Sequence, residues 1–183
     1  MKKLSKVARS IFYPNGKNTY LFLSGKNTNF LKRKKNLLKS KSRICSHLSI
    51  REKTHEMIIY HKKGVYVRPH KHINKKESFH LINGQADLVV FKNNGEISNV
   101  VSLGNYKSKN FFYYKMLKPS FHTLIMKQDT LFHEVTSGPF KRKDTLFPSW
   151  APNEKNKNDV KNYLKKLNKL VKTFNRKDPN EAL

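Results

Sequence analysis

One cysteine, Cys45, stands in 183 residues, so no disulfide can close within the chain and a reducing compartment is the expectation. Acidic residues are also scarce. There are 12 Asp and Glu against 39 Lys and Arg, a net charge of +27, and residues 1–51 contain 14 basic residues with no acid among them. Residues 52–155 hold 17 basic and 9 acidic residues, and residues 156–183 hold 8 and 3, so the excess lies mainly in the two flanks. Flanks of this kind attract nucleic acid, anionic lipid headgroups or acidic polysaccharide; Lys interspersed with Asn is equally the pattern expected of an AT-rich coding sequence. Long apolar runs are missing too. Nothing approaches the roughly 20 residues that span a bilayer, and the basic start lacks the apolar segment of a secretory signal, so a cytoplasmic location is expected. There is no internal repeat, no Gly-rich phosphate loop before a helix and no nucleophile elbow.

What is present reads as one folded domain with extensions. Hydrophobic residues make up 37% and aromatic residues 11%, enough for a sheet-built core. Residues 1–42 form a basic N-terminal extension, expected to be loosely packed, with turns at Pro14-Asn15-Gly16 and Gly25 and a weak helical pattern from Phe30 to Leu38. From Arg43 onward, short runs rich in Val, Ile, Tyr and Phe alternate with turn residues, which predicts an antiparallel sandwich or barrel. The expected strands are 56–60, 65–72, 78–81, 85–91, 97–103, 111–115, 123–126 and 131–135, with a tight hairpin turn at Asn93-Asn94-Gly95. Past Trp150-Ala151-Pro152 the apolar period becomes helical, through Val160, Tyr163, Leu164, Leu167, Leu170, Val171 and Phe174. That amphipathic, basic helix is expected to pack on its own domain. The chain thus divides into 1–42, a barrel over 43–154, and a helical tail over 155–183.

The segment that carries chemistry runs from Gly64 to Gly84 and reads G(x)5HxH(x)4E(x)6G. Residues i and i+2 of a strand share a face, so His70 and His72 can present two imidazole nitrogens to one ion. Asn74 and Lys75 supply a turn, after which Glu77 returns a carboxylate to the same point. Two imidazoles and a carboxylate on adjacent strands form a facial set with open coordination positions.

This pattern resembles the first motif of the cupins. The wider text is similar to the WbuC-type cupin fold metalloproteins in Arg43-Ile44-Cys45-Ser46-His47, Tyr66-Val67-Arg68-Pro69-His70-Lys71-His72, Lys76-Glu77-Ser78-Phe79-His80, Glu134-Val135-Thr136-Ser137-Gly138-Pro139-Phe140 and Trp150-Ala151-Pro152-Asn153-Glu154. The resemblance covers about residues 43–154. It implies an all-β, cupin-type antiparallel β-barrel (jelly roll), and a third histidine from a second motif. The match there is Pro119-Ser120-Phe121-His122, which lacks the motif's Gly and carries Met126 where its Asn would stand; His122 is the expected fourth ligand. The implied cofactor is one divalent transition metal, with Zn, Fe, Mn and Ni all open, and the implied setting is surface polysaccharide (O-antigen) biosynthesis.

By strand parity Tyr66 and Arg68 share the face of His70 and His72. An inward Arg68 would grip a carboxylate or phosphate of a substrate, or else pair with an acid such as Glu134. Glu134 and Tyr66 are candidates for moving protons. His80 and His133 should face away from the site; His47 is a packing or pocket residue near Cys45, and His55 and His61 are strand-end residues. The expected role is a metal-dependent enzyme on a sugar-like or carboxylated small molecule. A non-catalytic saccharide-binding or regulatory protein is the alternative, with basic flanks as a tether to polyanions and homodimerisation through the sheets as further possibilities.

Overall fold

The structure, a computed structural model, describes residues 6–7, 10–12, 21–32 and 40–174. The turn expected at 14–16 and the end of the helical pattern, 33–38, lie outside the described residues. Twelve strands and two α-helices follow in chain order among those residues: β1 (Lys6–Val7), β2 (Ser10–Phe12), α1 (Gly25–Lys32), β3 (Lys41–Cys45), β4 (Thr54–His61), β5 (Lys71–His72), β6 (Glu77–Asn83), β7 (Gln85–Phe91), β8 (Ile97–Gly104), β9 (Tyr113–Met116), β10 (Phe121–Met126), β11 (Thr130–Ser137), β12 (Thr145–Leu146) and α2 (Lys157–Thr173).

Period-two burial decides the first layer. In β6, Glu77, Phe79 and Leu81 are buried while their neighbours are partly or fully exposed, as expected of a sheet that faces a core on one side. Its strand order is β1-β2-β3-β4-β11-β6-β9, antiparallel except where β2 runs parallel to β3. The second layer has the order β10-β7-β8, and an antiparallel bridge between His70 and His122 sets the β12-β5 pair beside β10. Met57, Ile59, Phe79 and Phe132 from the first layer meet Leu88, Leu103 and Leu124 from the second in one core. Two antiparallel layers closed in this way make the cupin-type jelly roll.

Unlike β6, β7 is buried at four consecutive positions, 86–89, because α2 covers its far side. Leu167 and Val171 pack there against Val89, Phe91, Val100 and Ile125, so the helix's apolar stripe is used within its own domain. The outer face of the first layer is partly covered by α1, whose Leu31 is 2% exposed against Ile44, Tyr60 and Leu131. This part of the basic extension is packed more tightly than its composition suggested; burying one leucine contributes about 2 kcal/mol. Gly84 joins β6 to β7 at φ +93°, and a Cβ there would strike the carbonyl of Asp129. Only glycine suits that corner.

Candidate metal centre

Pro69 has no N–H to give a ladder, and the chain becomes a strand only after it. His70 exchanges both backbone hydrogen bonds with His122, at 3.1 and 2.9 Å, which brings their ring centres to 4.6 Å. His72 follows on β5, held by pairing with Thr145 of β12. After the turn at 73–76, Glu77 opens β6 in the opposite layer, so its carboxylate points across the interior at the three imidazoles. The donor atoms of His70, His72, Glu77 and His122 all lie within 4.8 Å of one another. His72, Glu77 and His122 are buried.

The imidazoles are oriented from behind. Nδ1 of His70 lies 2.9 Å from the Arg68 carbonyl and Nδ1 of His122 lies 3.0 Å from the Ser120 carbonyl. A carbonyl only accepts, so both Nδ1 atoms carry a proton; the Nε2 lone pair of His70 faces inward, and that of His122 becomes available once its proton, shared with Glu77, is released. Nδ1 of His72 meets the Thr145 hydroxyl at 3.1 Å. Such backing is what metal-bound histidines usually have.

Electrostatics at the cluster are tightly linked. Glu77 touches His72 Nε2 through Oε2 at 3.0 Å and His122 Nε2 through Oε1 at 3.2 Å. Burial alone would raise its pKa, but the contacts with His122 and His72 hold it well below the usual carboxylate range. Burial likewise works to lower His122, and the bond to Glu77 overrides it, leaving His122 raised. His70 has no carboxylate contact of its own; burial first, then the charge of His122, push it down to about 4. A neutral imidazole facing a shared centre, beside a carboxylate ionised at neutral pH, is a donor set ready for a cation. Bonds of roughly 2.0–2.2 Å from N and O to one ion leave its donors at most about 4.4 Å apart, so four donors already within 4.8 Å of one another fit a single metal ion after a small inward adjustment. They are the four expected from the sequence, His122 included.

The remaining candidates are distributed differently. Residues 65–69 do not form the expected strand, and strand parity therefore fails there. Tyr66 turns to α2: its hydroxyl donates to the Pro152 carbonyl at 2.9 Å and its ring meets Tyr163 at 6.0 Å. Arg68 lies over the Phe147 ring at 4.7 Å and donates from Nη2 to the Ala151 carbonyl at 3.2 Å. Its expected alternative partner, Glu134, is not among these contacts. Phe147 also stands 6.2 Å from His70, so Arg68 borders the centre through that ring. Glu134 is on the inner face of β11, opposite Met57 and Phe79. Burial, and next the charge of Glu77, raise its pKa to about 7. Arg43, inward-facing from β3 with Nη1 at 3.6 Å from Met57 Sδ, is one of the cations that moderate that shift.

His80 is exposed against Phe112 and His133 lies 3.8 Å from Glu56, both away from the centre. His47 packs: it stacks on His55 at 4.2 Å. His55 and His61 lie at the two ends of β4, as expected, and His55 is buried there at 4% exposed. Thr145 and Phe147 were not foreseen, and no local signal marks them, because they reach the centre from some seventy residues downstream of the motif.

Among curated proteins none matches this sequence. Solved structures with a similar fold include oxalate decarboxylase from Bacillus subtilis, at 18% identity over 54% of this chain and 24% of that one, TM-score 0.42. CapF, the capsular polysaccharide assembling protein from Staphylococcus aureus, is 16% identical over 54% and 27%, TM-score 0.43. A protein from Planctomyces limnophilus is 15% identical over 52% and 72%, TM-score 0.37. The chain spans about a quarter of the length of the first two. No helix among the described residues is long and apolar enough to cross a membrane. Residues 31–103 match a family described as Domain of unknown function (DUF6016), a match that takes in His70, His72 and Glu77 and ends before His122.

Proposed function

We propose that this chain is a metal-dependent enzyme of the cupin class, acting on a sugar-like or carboxylated small molecule in surface polysaccharide (O-antigen) biosynthesis. The observation that carries the reading is the convergence of His70, His72, Glu77 and His122 within 4.8 Å, drawn from both layers of the barrel. The polysaccharide setting is supported by the likeness of residues 43–154 to WbuC-type proteins. A divalent metal held there would supply Lewis acidity to a substrate oxygen.

The chain's own groups supply the rest. Glu134, with a pKa raised to about 7, is suited to take or return a proton at neutral pH. Arg68 keeps its buried Nε without a hydrogen-bond partner, which leaves a donor for a substrate carboxylate or phosphate at the Phe147 side. Tyr66, with its hydroxyl given to Pro152, has no part in proton transfer in this proposal.

Elemental analysis of the purified protein should give one transition metal per chain. Nucleotide sugars and keto acids are then offered to the loaded protein, with turnover followed by NMR and binding by calorimetry. Turnover that vanishes with the metal in His70→Ala and His72→Ala supports the reading. Binding of a saccharide without turnover would instead make this a non-catalytic saccharide-binding protein, and a chain that takes up no metal would end both versions.

A further inference from the structure

Two hydroxyls beside the centre are buried and have no hydrogen-bond partner: those of Tyr114 and Thr136. Both belong to the inner face of the first layer. Thr136, 1% exposed, is the cross-strand partner of Glu77 on the β11 side. Tyr114 is the partner of Phe79 on the β9 side, and its ring centre lies 6.4 Å from that of His122. Glu134 faces the same interior on the other side of Phe79. The centre is thus flanked by two unused donors and one inward carboxyl.

A buried hydroxyl that bonds to nothing is costly, and few such groups persist in native proteins without a water or ligand to meet them. Two of them bordering one metal centre ask for a common explanation. Neither serves the ligand imidazoles, whose Nδ1 atoms are already held by Arg68, Ser120 and Thr145. Hydroxyls donate to acceptor oxygens, and a carboxyl such as Glu134 accepts from a hydroxyl.

We infer that Tyr114 and Thr136 are substrate-binding donors that hold the carboxylate oxygens of a small hydroxycarboxylate, such as a sugar acid, while Glu134 receives the hydroxyl of the same molecule. This rests on the metal-centre reading given above and narrows its substrate class. Phe79 then forms the apolar floor between Glu134 and Tyr114, with its ring 4.8 Å from that of Tyr114.

The test uses the full chain loaded with Co2+, whose visible d–d bands report on the centre, and glycolate as the probe. Wild type should shift those bands on titration with glycolate. Tyr114→Phe and Thr136→Val should each weaken glycolate roughly five- to tenfold, the range of one neutral hydrogen bond, with Co2+ uptake unchanged. Thr136→Ser, which keeps the hydroxyl, should restore affinity. The metal-free Tyr114→Phe protein should melt no lower than wild type, because its phenol has no partner to lose. Wild type that ignores glycolate, or fully Co2+-loaded variants that bind it as tightly as wild type, would overturn this inference and leave the metal centre standing. A chain that takes up no Co2+ would remove the centre and the inference together.

Discussion

The metal-free protein should be acid-sensitive through His70, and the size of the effect can be worked from its surroundings. Its imidazole is enclosed by protein, although part of the residue remains accessible, and its pKa falls from 6.5 to about 4. A histidine lowered in the folded state binds its proton first in the unfolded chain, so stability falls as pH drops below 6.5 and the loss is complete near pH 4. At about 1.4 kcal/mol per pH unit, that interval corresponds to about 3 kcal/mol, of which about 2 kcal/mol is lost by pH 5. The neighbours do not obscure it. His122 is raised, so its contribution is present below 6.5 and is lost only as pH rises through its folded pKa. Glu77 is lowered, so its contribution is lost only as pH falls through its depressed value. His47 and His55 are also lowered, by burial first, and add losses of the same sign, but they are shared by any variant at position 70. Urea unfolding with EDTA present, for wild type and His70→Asn, should therefore give curves that differ in slope between pH 6.5 and 5 by about 2 kcal/mol in total, with wild type the steeper. Parallel curves would show that His70 is not enclosed as described. Saturating metal should suppress the wild-type loss, since proton and metal compete for one nitrogen.

Three further outcomes follow from contacts outside the ligand atoms. Thr145→Val removes the hydroxyl behind His72 Nδ1 and should weaken metal binding about 10- to 100-fold in competition with a chromophoric chelator; unchanged affinity would mean that this contact does not orient the ring. Gly84→Ala forces a side chain onto the Asp129 carbonyl at φ +93° and should cost on the order of 2–3 kcal/mol in urea unfolding, whereas a cost near zero would place that corner elsewhere. Leu31→Ala should cost about 2–4 kcal/mol if α1 is docked on Ile44, Tyr60 and Leu131 as the structure has it, and nothing if the helix is loose in solution.

Three of the four donors were legible from local geometry: the two-residue period aligns His70 with His72, and one short turn returns Glu77. His122, about fifty residues downstream, was expected only from the resemblance to the second cupin motif, and a backbone bridge sets it beside His70. The same parity argument misled at Tyr66 and Arg68, four and two residues upstream. It requires a continuous strand, and Pro69 cannot donate to a ladder; freed from a sheet, those side chains are claimed by Pro152, Tyr163, Phe147 and Ala151, partners that lie about eighty to a hundred residues away. The strand Lys41–Cys45 and the docking of Leu31 were hidden for a related reason: a Lys-rich segment shows little period of its own, and its order comes from β4 and β11. Tyr114 is the instructive case. Tyr113 and Tyr114 must face opposite sides of β9, but which of them enters the barrel is fixed only by the register that sets Phe79 against Tyr114. A one-residue slip would send Tyr113 inward in its place and leave the centre without that donor. What the local pattern encodes well is therefore three of the groups that would hold a metal, whereas the groups that would meet a substrate depend on how distant strands align, and it is there that substrate specificity should be sought.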